Sequence, residues 1–215
     1  MRIQEVTFET LHAVPFICGP ISNNTYALYD EENRDCVIID PSFSFNRVLE
    51  RVSELGLKPR EYWLTHGHYD HFVGTAYQES RALGIEARMH PLDEPLFYEG
   101  IESLTKAFPF IKNSPKPRMD LSDGTKLNVG KYTFEALFTP GHAPGHCCFY
   151  CREAGWLFSG DLVFWHSYGR TDLTGGNEET LMQSIRERVL TLPEDTLILP
   201  GHEDYTTVKD EKIFY

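Results

Sequence analysis

Three observations on this 215-residue chain predict an α/β fold rich in strands. A strand–helix–strand succession fits into about thirty residues near the front. The second half carries further short apolar runs parted by turns, and one late segment has the spacing of an amphipathic helix. Composition agrees, since 41% hydrophobic, 13% aromatic and 24% charged residues are ordinary for a globular protein. No linker, repeat or low-complexity tract divides the chain, so residues 1–215 are read as a single domain.

The elements follow in order. Asn24 to Tyr29 and Asp35 to Asp40 read as two strands joined by the polar run Asp30 to Arg34, a hairpin whose second strand stops at Pro41. Val48, Leu49, Val52 and Leu55 then recur at three- and four-residue spacing before Gly56, the pattern of a helix with its C-terminal stop. Glu61 to Thr65 resumes as a strand, which completes a βαβ unit and implies partly parallel strands with helices covering the sheet. Lys131 to Thr139, Gly145 to Cys151, Gly155 to Ser159 and Thr196 to Leu199 read as further strands. Asn177 is placed to cap a helix whose Leu181, Met182, Ile185 and Val189 form one apolar face, with Glu178 and Glu179 at its positive end. Lys112 to Arg118 is the most loop-like stretch and is expected to be a lid or insertion.

Charge and apolar patterning exclude several function classes. Twenty basic against thirty-two acidic residues leave −12, which disfavours a phosphate-binding footprint on nucleic acid. No apolar run approaches the roughly 20 residues of a membrane-spanning helix. The start, Met1 to Thr10, alternates charged and apolar residues where a secretory signal would be continuously apolar, so a cytoplasmic protein is expected. Five cysteines, an odd number, suit reduced thiols, and Cys147, Cys148 and Cys151 are read as small core residues. The oligomeric state is left open by these patterns.

The chemistry is concentrated in short motifs where strands run out into turns. The densest is Thr65-His66-Gly67-His68-Tyr69-Asp70-His71, in which His66 and His68, at an extended strand end, project to the same side and reach one cation. A turn after them lets Asp70 and His71 face a second cation. Thr139-Pro-Gly-His142, Phe158-Ser-Gly-Asp161 and Leu199-Pro-Gly-His202 each set a ligand-type residue just after a strand and a glycine, which permits a sharp turn close to a metal. A lone histidine after Pro-Gly is more often a turn or core residue, but the crowded segment His66 to His71 shifts the balance toward ligation. Histidine and carboxylate without thiolate suit zinc, iron or manganese at a catalytic site.

With these residues in this order, the chain resembles the metallo-β-lactamase-fold hydrolases, and within them the short glyoxalase II-like, or hydroxyacylglutathione hydrolase-like, branch, from Asp40 to His202. The resemblance implies a four-layer αβ/βα sandwich with a binuclear site at one edge of its two sheets. Carried over by position, His66, His68 and His142 hold one metal, Asp70, His71 and His202 hold the other, and Asp161 bridges both. Asp40 matches the family's buried aspartate, which orients a metal-bound imidazole without touching the metal. Two divalent ions, zinc first with iron or manganese also suited, would sit about 3.5–4 Å apart and share a hydroxide nucleophile that Asp70 helps to orient.

Gly169 to Asp172 resembles a segment of short bacterial glyoxalase II-like proteins and of persulfide dioxygenases. Arg170 stands where glyoxalase II has a basic residue for the glutathione part of its substrate, and an internal pair with Asp172 is the alternative use of its guanidinium. Tyr168 and Tyr69 are expected to line the substrate mouth or to pack as ordinary aromatics, and His146 is expected beside the ligands. His12, His90 and His166 have no partner pattern. The implied activity is hydrolysis of a small-molecule thioester such as S-D-lactoylglutathione. The alternative is a mononuclear iron persulfide dioxygenase using His66, His142 and Asp161, with a lactonase or other ester hydrolase behind it and a non-catalytic metal-binding or regulatory module last. Antibiotic hydrolysis is disfavoured by Asp161, where many β-lactamases carry cysteine or no ligand. The chain stops thirteen residues after His202, whereas typical glyoxalase II adds a helical domain, so either other loops such as Lys112 to Arg118 complete the site or the thioester is not glutathione-based.

Overall fold

In the computed structural model, which describes residues 2–215, the front hairpin and the βαβ unit grow into a six-stranded sheet. Its strands lie side by side in chain order: β1 (Val6–Phe8), β2 (Leu11–Cys18), β3 (Asn23–Asp30), β4 (Asp35–Ile39), β5 (Lys58–Trp63) and β6 (Glu86–Arg88). The first four are antiparallel. β4, β5 and β6 are parallel, so each join is a crossover, the first through α1 (Phe45–Glu54) and the second through α2 (Tyr69–Phe72) and α3 (Gln78–Ala82). Helix α1 ends where Gly56 takes a positive φ of 68°, and α4 (Glu94–Leu104) follows β6.

The second half builds another six-stranded sheet. In chain order come β7 (Lys126–Val129), β8 (Tyr132–Phe138), β9 (Cys147–Cys151) and β10 (Trp156–Gly160), then a ribbon of β11 (Val163–Phe164) with β12 (Ser167–Tyr168). Helix α5 (Glu178–Ser184) carries the chain to β13 (Leu197–Pro200), β14 (Thr206–Thr207) and α6 (Val208–Lys212). The spatial order is β14-β13-β10-β9-β8-β7, and only β10 and β13 pair parallel, as their helical crossover requires. Asn177 caps α5 as expected, its Oδ1 accepting the Thr180 N–H at 2.8 Å. Leu181, Ile185 and Val189 are fully buried, the last two in a wider π turn that prolongs the helix.

Three apolar clusters separate four layers. Tyr26, Leu28, Val37, Ile39 and Trp63 of the first sheet meet Phe134, Phe149, Phe158 and Leu199 of the second. The opposite faces of the same strands, with Ala27, Cys36 and Ile38, pack on Val48, Val52 and Phe97 of the helices, while Leu157 and Ile198 pack on Leu181 and Ile185. Strand alternation thus feeds both neighbours of each sheet, giving the helix–sheet–sheet–helix sandwich that the family resemblance implies. All five cysteines are free and buried, and burial pushes the thiols of Cys36 and Cys148 up to about 12. Among the described residues no helix is long and apolar enough to cross a membrane.

Strand β2 tolerates Pro15, which lies beyond the stretch paired with β1, at the sheet edge, where its missing N–H leaves no ladder bond to β1 broken. One reading of the sequence changes. Lys112 to Arg118 does not line the cavity at the histidine motifs. The segment follows the buried Ile111, and Arg118 accepts from Met89 and donates to Ala87, covering the open edge of β6.

Phe158 sits between the sheets, 5.1 Å from Tyr26 by ring centroids, so Phe158→Ala is expected to cost about 3–5 kcal/mol in urea unfolding. Asn177→Ala, which removes only a cap, is expected to cost about 1 kcal/mol.

Candidate metal centre

The sheets are pinned together at the end where the histidine motifs emerge. Asn24 donates its N–H to Gly201 O at 2.7 Å, Tyr26 Oη donates to Pro200 O at 2.7 Å, and Cys147 donates its N–H to Thr65 O at 2.8 Å. These bonds bring the loops after β5, β8, β10 and β13 to one place. β5 ends at Trp63, so His66 and His68 lie in a loop and converge through a turn, not through strand alternation as expected; α2 then presents Asp70 and His71.

The ligand-type atoms gather in three overlapping groups, His66 with His68 and His142, Asp70 with His71 and His202, and His66 with His71 and Asp161, each within 4.8 Å. Asp161 stands between the first two, Oδ1 being 3.4 Å from His71 Nε2 and Oδ2 3.6 Å from both His142 Nε2 and His202 Nε2. Asp161 Oδ1 and His68 Nε2 are buried without a hydrogen-bond partner.

The hydrogen bonds around the rim assign the imidazole tautomers. His142 Nδ1 lies 2.7 Å from Arg170 O and His202 Nδ1 3.1 Å from Ile21 O, and a carbonyl only accepts, so both nitrogens carry the proton. Thr65 Oγ1 donates to Asp40 Oδ2 at 2.7 Å and therefore accepts from His66 Nδ1 at 3.0 Å. The Nε2 atoms of His66 and His142 are then two bare lone pairs 3.2 Å apart, with His68 Nδ1 2.9 Å from the second. Lone pairs crowded in this way repel unless a cation lies between them, so the donor set fits a divalent ion. Burial and the neighbouring rings push His66, His68 and His142 down, His68 to about 4, which keeps these donors unprotonated at neutral pH.

The other half is anionic. Burial lowers the basicity of His71, but Asp161, Asp70 and Asp40 around it win and raise its pKa well above the usual imidazole range. Positive charge, whether a proton or a metal ion, is electrostatically favoured there. Asp40 lies beside the cluster: its Oδ1 accepts Thr65 N–H at 2.8 Å and its Oδ2 accepts Thr65 Oγ1 and, at 2.9 Å, His71 Nδ1. His146 is buried beside His66 and hydrogen-bonds Thr139 Oγ1 at 2.9 Å.

Sequence reasoning missed two contributors. Asn23 at the start of β3 is fully buried and donates from Nδ2 to Asp70 Oδ2 at 2.7 Å, and Arg170 holds His142 through its backbone carbonyl. Only the pattern of a polar residue opening an otherwise buried strand could have flagged Asn23. Glycine is required at 201, where a Cβ would lie 2.4 Å from Asp161 Oδ1 and 2.9 Å from His71 Cε1.

A cavity of about 560 Å³ opens onto this cluster. Ile21, Tyr69, Phe164 and Leu173 supply its apolar wall, and Arg170 and Glu203 stand at its rim. The Arg170 guanidinium is engaged by Asp172 in a two-pronged pair, Nε–Oδ1 2.6 Å and Nη2–Oδ2 2.7 Å. Tyr168 is not among the lining residues; its hydroxyl donates to Glu178 at 3.0 Å.

Comparison with known proteins gives this arrangement its class. The chain belongs to the metallo-beta-lactamase superfamily, whose profile matches residues 18–202, and so to a group of proteins that are mostly metal-dependent hydrolases. It is 37% identical to the "Probable metallo-hydrolase YqgX" of Bacillus subtilis over 90% of this chain and 91% of that one. Identity is 36% to the hydroxyacylglutathione hydrolase GloC of Haemophilus influenzae, over 88% and 89% of the two chains. It is 30% to the mitochondrial persulfide dioxygenase ETHE1 of Mus musculus, over 87% of this chain and 68% of that one. The crystal structure of TTHA1623 in a di-iron-bound form superposes with a TM-score of 0.80 at 39% identity, covering 92% and 96% of the two chains.

Gly201→Ala is expected to leave the fold intact and weaken Co²⁺ binding by about tenfold or more in a spectroscopic titration, because the new methyl displaces Asp161.

Proposed function

We propose that this protein hydrolyses a small-molecule acyl thioester, S-D-lactoylglutathione or a close analogue, with two divalent ions, zinc first among them. His66, His68 and His142 would hold one ion, Asp70, His71 and His202 the other, and Asp161 both. The observation that carries this reading is the pair of ligand groups meeting at Asp161 on the floor of a cavity with an apolar wall. Support comes also from the Haemophilus influenzae relative named as a hydroxyacylglutathione hydrolase. A reducing cytoplasmic setting suits five unpaired, buried thiols.

Divalent ions held by these residues supply a water activated near neutral pH and a Lewis acid for the acyl carbonyl. The chain does the rest. Asp70, steadied by Asn23 at 2.7 Å, is the carboxylate available to accept a hydrogen bond from the attacking water and orient it. The bonds from His142 to Arg170 O and from His71 to Asp40 hold both imidazoles in the tautomer that turns Nε2 inward. Leu173, Phe164 and Ile21 offer an apolar surface to the less polar part of the substrate. Arg170 is available to a substrate carboxylate by exchange, since its pair with Asp172 is exposed and screened by solvent.

Purified protein reconstituted separately with zinc, iron and manganese is expected to cleave S-D-lactoylglutathione, and Asp161→Ala is expected to lose at least about a hundredfold in kcat/KM. Absence of turnover in every metal form would overturn the thioesterase reading. A second reading, a mononuclear iron persulfide dioxygenase using His66, His142 and Asp161, is favoured by the Mus musculus relative. Oxygen uptake with glutathione persulfide by the iron form decides between them. Arg170→Ala is expected to raise KM for S-D-lactoylglutathione several-fold and Asp172→Ala to lower it, with kcat little changed; equal KM in both variants would show that Arg170 does not bind the thiol carrier.

A further inference from the structure

We propose that Asp93 is a positioning residue for the three-histidine half of the centre, a buried carboxylate that clamps the loop bearing His66 and His68 to the loop bearing His142. The inference rests on the ligand assignment above and extends it to a residue outside every histidine motif.

Asp93 stands at the entrance to α4, a helix that supplies none of the proposed ligands, and it is fully buried. Its Oδ2 accepts the N–H of Gly67, between His66 and His68, at 2.9 Å, and its Oδ1 accepts the N–H of Gly145, three residues beyond His142, at 2.5 Å. The first loop leaves β5 of one sheet and the second joins β8 to β9 of the other, so one side chain ties the two sheets together beside the centre.

Three features argue that this is more than a satisfied buried acid. First, aspartate at a helix entrance ordinarily accepts an N–H of its own helix, yet Asp93 makes no such cap and spends both oxygens on the loops. Second, no lysine or arginine pairs with it among the described residues, so two peptide N–H groups alone support the charge while burial pushes its pKa up to about 6. Neutral asparagine would be cheaper to bury but has only one acceptor oxygen, whereas a carboxylate receives both donors. Third, both glycines are packed onto it. A Cβ at Gly67 would lie 2.8 Å from Asp93 O, and one at Gly145 would lie 2.8 Å from Asp93 Cγ. The consequence is that Asp93, together with the Cys147 N–H to Thr65 O bond, fixes the spacing of His66 and His68 from His142.

The test is Co²⁺ binding to the otherwise intact protein, followed by visible absorption and by competition with a chelator, with thermal unfolding recorded alongside. The wild type is expected to take up two ions per chain. Asp93→Asn, which loses one of two bonds, is expected to weaken one of the two ions by about 10–100-fold and alter its spectrum while leaving the other unchanged. Gly145→Ala, which displaces the carboxylate without altering any proposed ligand, is expected to weaken the same ion and serves if the first variant does not fold. A folded Asp93→Asn or Gly145→Ala protein with both affinities and the spectrum of the wild type would overturn the proposal. Failure of the wild type to bind Co²⁺, or binding unaffected by His66→Ala, would overturn the ligand assignment itself, and that result appears before any Asp93 variant is made.

Discussion

The carboxylate of Asp40 accepts three hydrogen bonds, two from Thr65 and one from His71, and both halves of the centre are oriented through them. Thr65 passes the orientation to His66 by accepting from its Nδ1, while His71 is held directly. Asp40 takes a positive φ of 50° at the end of β4, which turns its side chain toward the loop after β5 instead of continuing the strand. Few non-glycine residues adopt that conformation, and aspartate is among those that do so at lowest cost. The strain is offset by the bonds it makes possible.

Around this hub the site divides by charge. His66, His68 and His142 are kept neutral by burial and by one another, and their lone pairs face one point. Asp70, Asp161 and Asp40 surround His71 and call for positive charge. An arrangement of this kind is unfavourable for folding on its own, since lone pairs and carboxylates are gathered away from water. It is the common situation of a ligand-binding centre, whose electrostatic discomfort is relieved by what it binds.

The cavity gives the candidate centre a partly apolar approach. Ile21, Tyr69, Phe164 and Leu173 make one apolar wall, and Arg170 at the rim already has a partner in Asp172. The same residue serves the centre by its backbone, since Arg170 O fixes the tautomer of His142. Movement of the 169–172 segment would therefore be felt both by the substrate and by a proposed ligand.

Much of this was legible in the linear chain because it depends on local periodicity. The βαβ unit and the capped helix after Asn177 follow from alternation and helical spacing, and the histidine motifs stand out by residue type. Motif order alone brought the resemblance to a family and, with it, the four-layer sandwich. What required the tertiary structure is every contact whose partners are far apart in sequence. Asn23 reaches Asp70 across 47 residues, Arg170 O reaches His142 across 28, and Asp93 reaches Gly145 across 52; none has a local signature. The segment Lys112 to Arg118 is equally instructive, since a polar, proline-rich loop has the same composition whether it closes a cavity or covers a strand edge. Periodicity reports which face of an element is buried, but only packing decides what that face meets.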